Sequence, residues 1–152
     1  MTVERPYRRT TTITLRECAE LGAIFSPMGE GDASRLTQAI ATLLLSAGFC
    51  ITQDPVTHGY DVTMRPFGTG FGYTFVAILS ESHCAIHTYP EEQYGVTVEV
   101  EFNLCYLNCD HSEKIEEARL RLIDLFRPRC VEEVEHSRKR YFTPIAASVV
   151  AA

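Results

Sequence analysis

YTFVAILSESHCAIHTYPEEQYGVTVEVEFNLC, residues 73–105, holds strand-forming runs on both sides of an odd polar break. Residues 73–79, YTFVAIL, are apolar and rich in β-branched and aromatic types, as a buried strand requires. Ser80-Glu81-Ser82-His83 interrupts the run. It restarts and continues until Pro90, which lacks the N–H a sheet ladder needs. Residues 94–105 then alternate apolar and polar, the period of a strand with one buried face.

Toward the N-terminus, residues 1–12 read as a loose arm, and RRTTTITL around 8–15 as a first strand. SPMGEGD, 26–32, is loop by its Pro and Gly content. Asp32 and Ser34 are both candidate N-caps. Leu36, Ile40, Leu43, Leu44 and Ala47 recur at helical spacing and predict a helix over 33–47, with Gly48 as its C′ residue. Short strands are expected at 49–53 and 59–64, with a turn at DPVTHG between them. RPFGTGFG, 65–72, contains GTGFG and not a GxGxxG leading into a helix. That argues against a dinucleotide-binding fold and leaves the glycines to tight turns or close backbone approach.

Toward the C-terminus, Asp110 or Ser112 caps a second helix, 112–126, with Ile115, Ala118, Leu122 and Leu125 facing inward and Pro128 beyond its end. CVEEVEHSRK, 130–139, is a last strand, and 143–152 form a tail with no evident role. Strands in runs with one amphipathic helix per half predict a two-layer α+β sandwich. Its sheet is largely antiparallel, with both helices on one face. No linker divides the chain, so residues 1–152 form a single domain.

The 152 residues are 45% hydrophobic and 22% charged, close to the globular average. This excludes a disordered chain, a fibre or a coiled coil. No apolar run reaches the roughly 18 residues of a membrane helix. MTVERPYRRTTT carries arginines but no apolar h-region, so it does not read as a secretion signal, and a cytoplasmic location is expected. A net charge of −6 argues against nucleic acid as the main partner. Cysteines stand at 18, 50, 84, 105, 109 and 130, and reduced thiols are expected. Cys105, Cys109 and His111, or His83 and His87, offer metal-ligand types, but the tight knuckle spacings are missing and no metal is expected. Buried strand thiols are the other reading, above all for Cys18, Cys50 and Cys130.

Ser80-Glu81-Ser82-His83-Cys84-Ala85-Ile86-His87-Thr88-Tyr89-Pro90-Glu91 is the most informative segment. Charged residues are rarely buried without partners. Strand parity puts His83 and His87 on one face and Ser82 on the other, so only a kink at Glu81-Ser82 would bring Ser82 toward His87. On residue types alone the segment also reads as a strand end with a solvated turn. SESHCAIHTYPE resembles the processing-site signature of the bacterial and archaeal S-adenosylmethionine decarboxylase proenzymes. These read Ser-Glu-Ser-His, two variable residues, Ile-His-Thr, an aromatic, then Pro-Glu. The flanking elements resemble the family over roughly residues 20–140.

The resemblance implies a pyruvoyl enzyme that cleaves itself between Glu81 and Ser82. The Ser82 hydroxyl attacks the Glu81 carbonyl, and the resulting ester eliminates to leave dehydroalanine. Loss of ammonia then leaves a pyruvoyl cofactor at residue 82. Its carbonyl holds the substrate amine as a Schiff base and accepts the electrons released with carbon dioxide, the role of pyridoxal phosphate elsewhere. The family's processing histidine corresponds to His87, and its assisting serine to Thr74. The family's proton-donating cysteine is carried to Cys105, which follows the acidic Glu101 by four residues. Cys109 is the second thiol, and an ungapped alignment puts Asn103 in that slot. The sequence departs from the family at Glu92-Gln93-Tyr94-Gly95, a longer loop, and at Tyr106, where a glycine is usual.

For substrate, the resemblance implies S-adenosylmethionine and, through it, the aminopropyl donor of polyamine synthesis. Arginine or ornithine decarboxylases on the same scaffold share the signature, and an unprocessed binding or regulatory homologue is the non-enzymatic alternative. Phe67, Phe71 and Tyr73 offer an aromatic platform for an adenine. Glu91, Glu92, Glu99 and Glu101 offer carboxylates for a cationic amino acid, with Glu91 also a candidate for substrate hydroxyls. The fold resembles half of the longer eukaryotic decarboxylase, which implies pairing into at least a homodimer.

Overall fold

A computed structural model describes residues 3–25, 33–66, 70–90, 92–105 and 111–142, with 3–7 and 137–142 described by backbone alone. The elements run β1 (Val3–Cys18), α1 (Leu21–Ile24), α2 (Ser34–Ser46), β2 (Val56–Asp61), β3 (Phe71–Leu79), β4 (Ser82–Tyr89), β5 (Val96–Cys105), α3 (Ser112–Phe126) and β6 (Cys130–Phe142). One six-stranded sheet has the order β2-β3-β4-β5-β1-β6, and every neighbouring pair is antiparallel. This is the α+β sandwich expected from the sequence.

The alternation of β5 sets the two faces. Val96, Val98, Val100, Phe102 and Leu104 are buried. They join Ile13 and Leu15 of β1, Phe75 and Leu79 of β3 and Ile86 of β4 in one core with the inward stripes of α2 and α3. Leu36, Ile40, Leu43 and Leu44 form the stripe of α2, and Ile115, Ala118, Leu122 and Phe126 that of α3. Phe126 takes the interior place expected for Leu125, which is half-buried, because 115, 118, 122 and 126 keep the three- and four-residue steps of one face. Phe126 meets Phe25 edge-on at 5.9 Å, and Phe49 stacks on Phe102 at 5.2 Å. Each such fully buried side chain contributes about 1.5–3 kcal/mol.

The opposite sheet face is polar. Across it the register sets His58, Thr74, His87, Glu99, Thr14 and Glu132 in one row. A parallel row holds Ile78, His83, Asn103, Thr10 and His136. Val76, Ile78 and Val134 on this face are exposed.

Several expectations change. The supposed arm is strand: Val3–Thr12 lies within β1 and pairs with β6 from Val3↔Phe142 onward, past the end of the β5 partner. A two-stranded ribbon is held by its backbone ladder, so its side chains need not alternate. Residues 49–53 give only an isolated bridge, Ile51↔Leu79. The strand after it begins at Val56, inside the expected DPVTHG turn. Gly48 does follow α2 with φ +99°. The α2 and α3 N-caps are Ala33 and His111, neither with a side-chain cap bond. Gly72 lies in β3 opposite Tyr60, where a β-carbon would come 2.6 Å from the Tyr60 ring. Close approach is thus the reason for that glycine.

Candidate active site

Leu79 pairs with Ser82, so Ser80 and Glu81 alone connect β3 to β4. The favoured two-residue hairpin loops place φ > 0 within the loop, on Gly, Asn or Asp. Ser80 and Glu81 are neither of the first two nor Asp, and both keep negative φ; the positive φ falls on Ser82, at 136°. For a residue with a β-carbon this conformation costs on the order of 1–3 kcal/mol. The strain sits at the one peptide that the signature singles out.

The surroundings of that peptide are specific. The Glu81 carbonyl oxygen accepts the Cys105 N–H at 2.8 Å. The Glu81 carboxylate is buried and accepts the Cys50 N–H at 2.9 Å and the Ser80 hydroxyl at 3.2 Å. The Ser82 hydroxyl lies 3.5 Å from His83 Nδ1. Cys105, at the end of β5, is exposed, and its carbonyl accepts His111 Nε2–H at 3.0 Å. His111 therefore donates from Nε2, and its buried Nδ1 has no hydrogen-bond partner among the described residues.

A second cluster lies farther along the same strand. Thr74 and His87 are register partners, with Thr74 Oγ1 and His87 Nδ1 3.1 Å apart, and Glu99 pairs with His87 from the other side. His87 is five residues from Ser82, roughly 16 Å at a strand rise of ~3.3 Å. Within one chain the two clusters are therefore separate: Ser82, Glu81, His83 and Cys105 at one end, Thr74 and His87 at the other. Phe71 is farther still from Ser82 along β3 and lines a cavity of about 170 Å³ with Leu21, Tyr73 and Pro90. Tyr73 is buried in the core and offers no open platform. Phe67, Glu91, Tyr106 and Cys109 lie outside the described residues.

Among the described cysteines, Cys18 and Cys84 are buried, whereas Cys50 and Cys130 are exposed rather than buried on strands. Burial pushes the Cys18 thiol up to about 12 and the Cys84 thiol higher still. Both stay protonated and unreactive. Among the described residues no group of three or more His, Cys, Asp or Glu is placed to hold a metal ion. No helix of the described residues is long and apolar enough to cross a membrane. The sequence reading missed the His83 contact with Ser82, whose signal was simple adjacency. It also missed Cys50 and His111, for which no local pattern exists.

A model of the S-adenosylmethionine decarboxylase family matches residues 31–139. The solved structure of the adenosylmethionine decarboxylase from Aquifex aeolicus VF5 is similar with a TM-score of 0.56 and 19% identity, over 88% of this chain and 92% of that one. At that identity the likeness is one of fold. No curated protein matches the chain.

Proposed function

The chain belongs to the S-adenosylmethionine decarboxylase family, and from that premise we propose that it is a proenzyme that cleaves itself between Glu81 and Ser82 and then decarboxylates S-adenosylmethionine. One observation carries the reading: the strained Ser82, φ 136°, follows a carbonyl held by the Cys105 N–H at 2.8 Å.

The chain's own residues account for the cleavage. Addition of Ser82 Oγ to the Glu81 carbonyl carbon develops negative charge on the oxygen that Cys105 N–H already holds. The C–N bond breaks, the nitrogen takes a proton, and residues 81 and 82 are joined by an ester. Loss of the Cα proton of residue 82 expels the Glu81 carboxylate and leaves dehydroalanine. Water then releases ammonia and leaves a pyruvoyl group. The strain and the oriented carbonyl suit Ser82 to this origin. The pyruvoyl group supplies an electron-accepting carbonyl for loss of carbon dioxide from an amino acid. The Cys105 thiol, exposed at the end of β5, is the proposed donor of the proton returned to the substrate carbon.

Among the described residues of the same chain, His83 is a base within reach of Ser82. His87, oriented by Thr74, is too far along β4 to serve its own Ser82. Ser82 pairs with the core residues Leu79 and Leu104 but departs from strand geometry at φ 136°. The base proposed for it is the His87 of a second copy, held by Thr74 and carried on the polar sheet surface. The exposed Val76, Ile78 and Val134 on that surface support such pairing. The active form is thus a homodimer, and its product is the aminopropyl donor of polyamine synthesis.

Intact-mass spectrometry tests the reading. Chains of residues 1–81 and 82–152, the second without its amino nitrogen, are expected. A single uncleaved chain after long incubation overturns it. Release of carbon dioxide from carboxyl-labelled S-adenosylmethionine, but not from arginine or ornithine, is the expected substrate result. Activity on a free amino acid alone overturns the substrate and leaves the cleavage standing.

A further inference from the structure

Glu81 provides the carbonyl that is cut, yet its side chain is turned inward and only 7% exposed. A buried carboxylate needs partners. Cys50 N–H and the Ser80 hydroxyl are neutral donors. The charge comes from Lys114, whose Nζ lies 3.9 Å from Glu81 Oε2. Lys114 is the third residue of α3, where a cation opposes the helix dipole. Helix preference therefore does not explain it. Its stem runs over Gly48, where a β-carbon would meet Lys114 Cγ at 3.7 Å. Its ammonium lies 5.8 Å from the centre of the Phe49 ring.

The same helix end reaches the other side of the cut peptide. His111 holds the Cys105 carbonyl, and Cys105 N–H holds the Glu81 carbonyl. The start of α3 thus holds both the loop that carries the Glu81–Ser82 bond and the end of β5 that donates to its carbonyl.

We propose that Lys114 is a positioning residue for self-cleavage, acting through the Glu81 side chain. The inference rests on the cleavage reading above. Tethering the carboxylate on the helix side fixes the plane of the Glu81–Ser82 peptide. That keeps the carbonyl on Cys105 N–H and leaves the backbone strain on Ser82. Without the ammonium, two neutral donors hold the carboxylate, and the peptide can turn out of line.

The test follows intact mass against time after synthesis, in wild type, Lys114→Met, Lys114→Arg, Glu81→Gln and the Lys114→Met/Glu81→Gln double variant. Misplacing a reacting group by about 1 Å costs up to roughly a hundredfold. Lys114→Met and Glu81→Gln should each slow cleavage at least about tenfold on that scale. Lys114→Arg should restore it to near the wild-type rate, and the double variant should be no slower than either single one. Rescue by arginine is a response that general loss of packing does not give. Glu81→Gln keeps shape and removes only the charge that Lys114 meets, so it carries the test should Lys114→Met fail to fold. Wild type that stays whole overturns the cleavage reading, and this inference with it. Wild type that cleaves while Lys114→Met or Glu81→Gln cleaves equally fast overturns this inference alone.

Discussion

Cys105 donates its backbone N–H to the Glu81 carbonyl oxygen at 2.8 Å, so the last residue of β5 and the peptide before Ser82 are one structural unit. Cys105 thus offers two separable groups: the backbone donor at the site and an exposed thiol.

The two groups are expected to act at different stages. Cys105→Ala keeps the N–H and should cleave within a few-fold of wild type, while carbon dioxide release falls on the order of a hundredfold, the range of a lost general acid. Cys105→Pro removes the donor and should slow cleavage itself by about 10²–10³, as loss of an oxyanion donor does. Intact mass reads the first step and labelled carbon dioxide the second. Full turnover by Cys105→Ala would remove the thiol from the mechanism.

His87 and Ser82 belong to different clusters of one chain. If each acts on the other copy, Ser82→Ala and His87→Ala should complement. Alone, neither variant should cleave at the wild-type rate. Co-expressed, the His87→Ala chain should be cut, because its intact Ser82 meets the His87 of the Ser82→Ala chain. Masses of the two differently tagged chains report which is cut. A mixed dimer, confirmed by light scattering, in which neither chain is cut would overturn this assignment.

Ser82 holds φ 136° with a β-carbon. Ser82→Ala keeps the strain and Ser82→Gly relieves it, and neither can cleave. Ser82→Gly should therefore be the more stable by about 1 kcal/mol or more, the low end of the usual range for such residues. In a chain of this size that is a melting temperature roughly 2–4 °C higher. Equal melting temperatures would show that the conformation costs nothing.

The alternation of Val96–Leu104 and the stripe Leu36, Ile40, Leu43, Leu44 were legible because burial writes a period into the side chains. The strands at 8–15 and 130–139 were legible too, but the extension of β1 back to Val3 was not: a backbone ladder with β6 past the end of β5 leaves no such period. At the site, the order Glu81-Ser82-His83 was legible as a motif. The pairing of Thr74 with His87 follows by counting once the loop is known to be two residues, but the residues do not declare that length. His111 reaches the site only by packing α3 against the sheet, and nothing near Ser82 in sequence points to it. Local pattern shows which residues carry chemistry; tertiary packing shows what holds them.

The buried thiols give a pH test with a definite sign. Desolvation raises the Cys18 thiol to about 12, opposed by a weaker backbone hydrogen bond from Val98. An unfolded thiol ionises near ~8.5. Below that pH both states keep the proton, and the group's contribution to stability is complete. Between roughly pH 8.5 and 12 only the unfolded state loses the proton, so stability falls as pH rises. Cys18→Ala should thus show a shallower loss of melting temperature than wild type on going from pH 8 to 10.5, whatever its stability at pH 8. Alkylation at pH 8 gives an independent reading: Cys50, Cys105 and Cys130 are exposed and should label in the folded protein, while Cys18 and Cys84 should label only after unfolding. Rapid labelling of Cys18 or Cys84 in the folded chain would mean that the core between the sheet and the helices opens more readily than its packing implies.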